Sequence, residues 1–303
     1  MDLRLPPSVH VLERNWLSSN NVLLIGPGDT ALIDSGYVTH ASQTLALVRH
    51  VLGARPLDRL LNTHLHSDHC GGNAALQAAY GCHTAIPALD ADKVARWDDD
   101  ALSFRATGQQ CPRFGFDGVL APGDVLRLGG LRWQVLAAPG HDPHALLIFC
   151  AEEGVLVSGD ALWQDGFGVI FPELAGEPGF DEVGATLELI DSLAPRVVIP
   201  GHGPVFGDVD AALERARQRL DYLAADPARN ARNAVKVLVK FLLLERGKIA
   251  LATLPGLLAA IPLIERVRSA MLGMDADELG EWAATALVRA GAARIEGEHL
   301  LDV

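Results

Sequence analysis

Residues 63–73 read Thr-His-Leu-His-Ser-Asp-His-Cys-Gly-Gly-Asn, which places His64, His66, Asp68 and His69 in one short run. Neutral imidazole and carboxylate are the ligands that zinc and related divalent ions take. Alternate side chains of an extended backbone share a face, so His64 and His66 point the same way. The glycine-rich turn that follows can carry Asp68 and His69 round beside them. The plain alternative, unconnected polar loop residues, requires chance to place three histidines and an aspartate in one short pattern. Three later segments end on the same residue types: Pro-Gly-His at His141, Ser-Gly-Asp at Asp160 and Pro-Gly-His-Gly at His202.

These seven side chains exceed the four positions of one tetrahedral ion. They suit two ions about 3.5–4 Å apart with a carboxylate between them. The division that follows gives His64, His66 and His141 to the first ion, Asp68, His69 and His202 to the second, and Asp160 to the bridge. Two cations lower the pKa of a bridging water towards neutrality, so that hydroxide attacks, and they polarise a carbonyl or phosphoryl oxygen. The implied reaction is hydrolysis. Asp68, with a carboxylate oxygen to spare, is the candidate to orient that hydroxide and accept its proton.

Buried strands must carry these residues. Leu57–Thr63 reads as a strand ending at the first cluster, Leu131–Ala137 runs to His141, Val155–Ser158 to Asp160 and Arg196–Ile199 to His202. Residues 22–34 read as a hairpin around Gly-Pro-Gly-Asp. Ser42–Leu52, Ala74–Tyr80 and Phe180–Leu193 have helical spacing. Residues 92–118 are weakly periodic and suggest an inserted segment or lid. Strands alternating with helices in two halves predict a layered α/β fold. After Pro204 the pattern turns mainly helical. Asp277–Ala290 buries Leu279, Trp282, Ala283, Ala286, Leu287 and Ala290 on one side, and a terminal hairpin follows, as in a winged-helix module.

The chain has 303 residues and a net charge of −13. Residues 1–204 hold 24 acidic and 12 basic residues, and residues 205–303 hold 14 and 13, so the excess acid lies in the first part. Of 11 histidines only His299 lies beyond residue 204. We therefore expect a catalytic domain over 1–207 and an appended domain over 208–303. General binding to a phosphate backbone needs clustered Lys and Arg and is disfavoured by this balance. Between Glu214 and Lys248, however, nine basic residues face four acidic ones, a local route for an anionic substrate or RNA. The candidate recognition helix exposes Asp277, Glu278 and Glu281 against Arg289 alone, which disfavours DNA. Four cysteines without paired spacing, no signal-peptide pattern and no membrane-spanning run lead us to expect a cytoplasmic protein.

The run HxHxDH followed by PGH, SGD and GHG resembles the metallo-β-lactamase superfamily, and Asn20–Gly36 resembles its opening hairpin. The resemblance covers residues 10–205 and implies an α/β fold, an αββα sandwich with the dinuclear centre at one edge. A bridging aspartate at Asp160 is similar to the glyoxalase II and phosphodiesterase branches, whereas the β-lactamases lack it. Persulfide dioxygenases use one iron and fewer of these residues. The C-terminal element order resembles the β-lactamase-like protein 2 group, some of which cleave single-stranded RNA. The resemblance implies two divalent ions, zinc first with iron or manganese as alternatives.

His144, Trp163, Phe167 and Phe171 are candidate substrate contacts, with ordinary packing as the competing reading for the aromatic residues and an exposed or supporting position for His144. The expected activity is metal-dependent hydrolysis of an ester, thioester or lactone. The alternatives are a phosphodiesterase or endoribonuclease, and a non-catalytic nucleic-acid-binding or regulatory protein. The expected partner is a small acyl substrate, with RNA and a homodimer as further possibilities and neither DNA nor a membrane.

Overall fold

The computed structural model describes residues 3–14 and 16–303. Met1, Asp2 and Asn15, part of the N-terminal stretch read above for a signal peptide, lie outside the described residues. Eleven strands form two facing sheets. The first runs in the order β1 (Val9–Leu12), β2 (Asn21–Ile25), β3 (Thr30–Ile33), β4 (Arg59–Leu61), β5 (His83–Pro87) and β6 (Gly118–Leu120). Its first two pairings are antiparallel and the rest parallel. The second contains β7 (Val125–Leu128), β8 (Leu131–Ala137), β9 (Leu146–Cys150), β10 (Val155–Gly159) and β11 (Val197–Pro200), in spatial order from β11 to β7.

The period-2 pattern decides the layers. Val22, Leu24, Ala31 and Ile33 of one sheet meet Trp133, Val135, Ile148 and Val157 of the other in a central core. The alternate residues Leu23, Leu32 and Leu60 face outwards and are covered with Val48, Leu52 and Leu76 from the helices Ala41–Leu52 and Asn73–Tyr80. Leu147, Phe149 and Leu156 are covered by the helices Phe180–Leu193 and Val209–Ala224. The result is the expected αββα sandwich.

Several expectations are adjusted. The strand leading to the first cluster is only Arg59–Leu61, because the following residues bend away to bring side chains to the sheet edge. Residues 92–118 form two short helices held by Phe104, Phe114 and Trp97 around Leu65 and Cys70, a packed flank rather than a loose flap. Val209–Ala224 contributes Val209, Ala212, Leu213, Ala216 and Leu223 to the core beneath the second sheet. The helix that follows residue 207 therefore shares its core with the second sheet.

From Pro227 onwards the helix Pro227–Arg246, β12 (Lys248–Ala250), two short helices, the helix Ala276–Arg289 and the hairpin β13 (Ala293–Glu296)–β14 (His299–Asp302) build a further core, to which Val169 and Leu174 also contribute. Their strands pair in the order β12-β14-β13. Asp275 and Glu278 close a reciprocal capping box at the start of Ala276–Arg289, which fixes that helix's entry. Its buried face also takes in Gly280 and Ala284, while Ala290 is exposed. Among the described residues no helix is long and apolar enough to cross a membrane.

Candidate metal centre

All seven side chains come together at one edge of the sandwich, from four strand ends. His64 and His66 occupy the stretch after β4, and Asp68 and His69 lie on the short helix Ser67–Cys70 that follows. His141 follows β8, Asp160 follows β10 and His202 follows β11. Ligating atoms of His64, His66 and His141 form one group, and those of Asp68, His69, Asp160 and His202 another, each within 4.8 Å. Both groups could hold a metal ion, in the division expected from sequence.

In the first group His66 Nδ1 lies 3.1 Å from His64 Nε2 and 2.8 Å from His141 Nε2. The opposite nitrogens fix the tautomers. His141 Nδ1 donates to the Val169 carbonyl at 2.6 Å. Thr63 Oγ1 donates to Asp34 Oδ2 at 2.8 Å and so accepts from His64 Nδ1 at 3.1 Å. His66 Nε2 faces Asp142 Oδ2 at 3.8 Å. With His66 protonated on Nε2, three imidazole lone pairs converge, an arrangement that suits a cation between them. Burial holds all three rings neutral: it depresses His64 well below its ordinary pKa, lowers His66, and with the neighbouring His66 brings His141 down to about 4.

The second group is anionic. His202 Nε2 lies 3.0 Å from Asp68 Oδ2, and His69 Nε2 lies 3.3 Å from Asp160 Oδ1. His69 Nε2 and His202 Nδ1 are buried without a hydrogen-bond partner among the described residues. Burial opposes a charged His69, yet Asp160, Asp34 and Asp68 together raise its pKa well above normal. A field that strong for a proton is also a field for a divalent cation. Burial disfavours ionised Asp68 and Asp160, but His69 and His202 outweigh it and keep both carboxyls below the usual range, Asp160 well below. Asp160 spans the two groups: Oδ1 faces His69, and Oδ2 lies 3.3 Å from His141 Nε2. The donor set fits two divalent ions with this carboxylate between them.

Two features hold the cluster in place. Asp34 sits in the left-handed region, at a φ of 59°, as few non-glycine residues do. From there its carboxylate accepts from Thr63 N at 2.9 Å and from His69 Nδ1 at 2.8 Å, leaving His69 Nε2 turned inwards. Glycines supply the space. A Cβ at Gly168 would lie 2.3 Å from His141 Nδ1, and one at Gly201 would lie 2.2 Å from Asp160 Oδ1.

A pocket of about 390 Å³ opens on the cluster. Trp163, Phe167 and Phe171 line it as expected, and Trp163 Nε1 donates to Asp160 Oδ1 at 3.2 Å. His144 does not line it. Its Nδ1 lies 2.7 Å from Asp90 Oδ1, in an outlying network that includes Lys93. Sequence reasoning missed Trp16, which stacks on His202 with centroids 5.1 Å apart, and the wall built by Asn233, Val237, Leu238 and Phe241 of Pro227–Arg246. Of the nine basic residues between Glu214 and Lys248, Arg215, Arg217, Arg229 and Lys240 are paired with carboxylates.

Known proteins share these features. Residues 14–202 match the sequence profile of the Metallo-beta-lactamase superfamily. The hydroxyacylglutathione hydrolase of Ectopseudomonas mendocina (strain ymp) is 27% identical over 199 residues, 66% of this chain and 60% of that protein. This chain spans less than two thirds of the length of the hydroxyacylglutathione hydrolases it matches. The Beta-lactamase-like protein 2 homolog of Drosophila melanogaster is 27% identical over 74% of this chain and 75% of its own. A metallo-beta-lactamase family protein from Thermus thermophilus superposes with a TM-score of 0.58 at 22% identity, covering 99% of this chain and 100% of that one. TTHA1623, solved in a di-iron-bound form, has a TM-score of 0.55 at 28% identity, covering 69% and 98%. With its profile match spanning most of the sandwich and the ligand groups at the expected edge, the chain belongs to the Metallo-beta-lactamase superfamily.

Proposed function

We propose that this protein is a hydrolase using two divalent ions, held by His64, His66 and His141 and by Asp68, His69 and His202, with Asp160 shared. The observation that carries this reading is Asp160, whose two oxygens face nitrogens of the two groups at 3.3 Å each. Metal ions bound there would supply water activated at neutral pH and polarise the scissile carbonyl. The chain's own residues do the rest. Asp68, whose Oδ2 faces His202 Nε2 at 3.0 Å, would accept a proton at its other carboxylate oxygen. Trp163 steadies Asp160, and Phe171 packs edge-on against His66 and His141, with centroids 5.1 and 5.6 Å away, excluding water from that side.

The substrate class we propose is a carboxylic ester, thioester or lactone. An aromatic and aliphatic pocket suits an acyl chain better than a polynucleotide backbone, and four of the nine basic residues between Glu214 and Lys248 are paired with carboxylates within the protein. The names of the hydroxyacylglutathione hydrolase relatives support thioester chemistry. Zinc is the first metal to test, with iron as the alternative suggested by the di-iron relative. We also propose a two-part organisation divided near Ala225–Asp226, the second part of winged-helix type. The four free cysteines agree with a reducing compartment such as the cytoplasm.

The test is metal analysis of the purified full chain, together with rates on nitrophenyl acyl esters, acyl thioesters and bis-nitrophenyl phosphate. Acyl hydrolysis with two metal ions per chain is expected, and Asp160→Asn should lose both. Activity confined to the phosphodiester would overturn the acyl reading.

A further inference from the structure

Two residues that line the pocket carry a buried hydrogen-bond donor with no acceptor among the described residues. Arg219 Nε and Asn233 Nδ2 are both buried and without a hydrogen-bond partner among the described residues, and both residues line the cavity that opens on the metal centre. They come from successive helices, Val209–Ala224 and Pro227–Arg246. Buried N–H groups are normally satisfied, because leaving one unmade forfeits its hydration without return.

Arg219 is held in place. Its guanidinium carbon lies 5.5 Å from the centre of the Phe167 ring. Its chain passes over Gly166, where a Cβ would come within 2.9 Å of Arg219 Cδ. The carboxylate that shares this rim of the pocket is engaged elsewhere, Asp165 with Arg215 at 3.3 Å. Arg219 itself has no ion pair among the described residues. Burial alone lowers the pKa of its guanidinium, and burial together with Arg219 lowers that of Lys236. An unanswered cation therefore sits in a pocket whose other walls are Trp16, Trp163, Phe171, Val237 and Phe241.

Resting on the hydrolase reading above, we propose that Arg219 and Asn233 form a subsite for an anionic oxygen group, and that the substrates are acyl compounds with a carboxylate or similar oxyanion joined to an apolar body. The aromatic wall takes the apolar body. The Arg219 guanidinium and the Asn233 amide donate to the anion, and a charge-assisted pair of this kind selects by charge as well as by shape. Neutral esters of the same length leave both donors unpaired.

The experiment compares the zinc-loaded full chain on two matched substrates, the mono-4-nitrophenyl ester of suberic acid and the same ester with its free carboxyl capped as a methyl ester. The free acid should be preferred in kcat/KM by about tenfold or more. Arg219→Gln should reduce that ratio about tenfold, Asn233→Leu should reduce it as well, and Arg219→Lys should restore part of it. A second readout is calorimetric binding of octanesulfonate, a weak metal ligand, whose Kd should rise about tenfold in Arg219→Gln. Should Arg219→Gln fail to fold, as judged by circular dichroism, Asn233→Leu and Arg219→Lys carry the same comparison. Equal rates on the two esters, or a preference that survives Arg219→Gln and Asn233→Leu, overturns the subsite while leaving the hydrolase reading intact. If neither ester is hydrolysed but octanesulfonate binding still depends on Arg219, the hydrolase reading fails and the subsite stands.

Discussion

A methyl group at Gly201 would have to share space with Asp160 Oδ1 and with the His69 ring, whose Cε1 would lie 2.9 Å away. Gly201→Ala should therefore move the shared carboxylate, and we expect the variant to purify with less than two metal ions and to lose activity at least ~100-fold, while its circular dichroism stays native. Asp34→Asn keeps the shape but weakens the charge that turns His69 inwards. Its expected cost is about 10–100-fold in metal affinity, read by competition with a chelating dye. Asp90 offers a pH test away from the centre. Burial works against its charge, but hydrogen bonds from His144 and Lys93 win and lower its pKa in the folded state. A carboxyl with a depressed folded pKa stabilises fully above its unfolded pKa, and the contribution disappears as pH falls through the folded value. Asp90→Asn should thus lower the urea midpoint at pH 7, and the gap from the parent should close towards pH 3.

At the scale of elements, the central core depends on Trp133, fully buried between the sheets with Nε1 donating to the Leu128 carbonyl at 3.1 Å. Trp133→Ala should cost about 3–5 kcal/mol in urea unfolding, since both a large apolar volume and a buried hydrogen bond disappear. The convergence of the seven candidate ligands was legible in the sequence because they follow four apolar runs, each short enough to be one buried strand. The strands β1, β6 and β12 escaped notice because three or four residues carry too little periodicity to separate them from loop. The helix Val209–Ala224 reads in sequence like the helices after it because of its charged outer face, while its apolar stripe packs under the second sheet. Trp16 and Asn233 could not be read from sequence as pocket residues, and Arg219 only as one of nine basic residues in a stretch open to an anionic substrate. Each is ordinary in its own segment, and only the packing of distant segments brings them to one cavity.

Across the whole molecule, the acid excess resides in the sandwich, and of the basic residues after it Arg229, Lys240, Arg268 and Arg294 are paired with carboxylates. Retention of single-stranded RNA at 150 mM salt should accordingly be no stronger for this chain than for an acidic control protein, as read by filter binding. The two parts are joined firmly. Asn230, fully buried, receives Ile170 N at 3.4 Å on its carbonyl and donates to Ile170 O at 2.8 Å, so the helix Pro227–Arg246 is clamped to the loop that carries Val169, the acceptor of His141 Nδ1.

That clamp separates two jobs that many enzymes keep in one place. On the proposed reading the reaction is set by strand ends of the sandwich, whereas the helix Pro227–Arg246 adds, beside Trp16, Trp163 and Phe171, a separate wall for the substrate through Asn233, Val237 and Phe241. Randomising those three positions amounts to a search over substrate range with the reacting centre held constant, and the same separation would let related chains diverge in diet while sharing one chemistry.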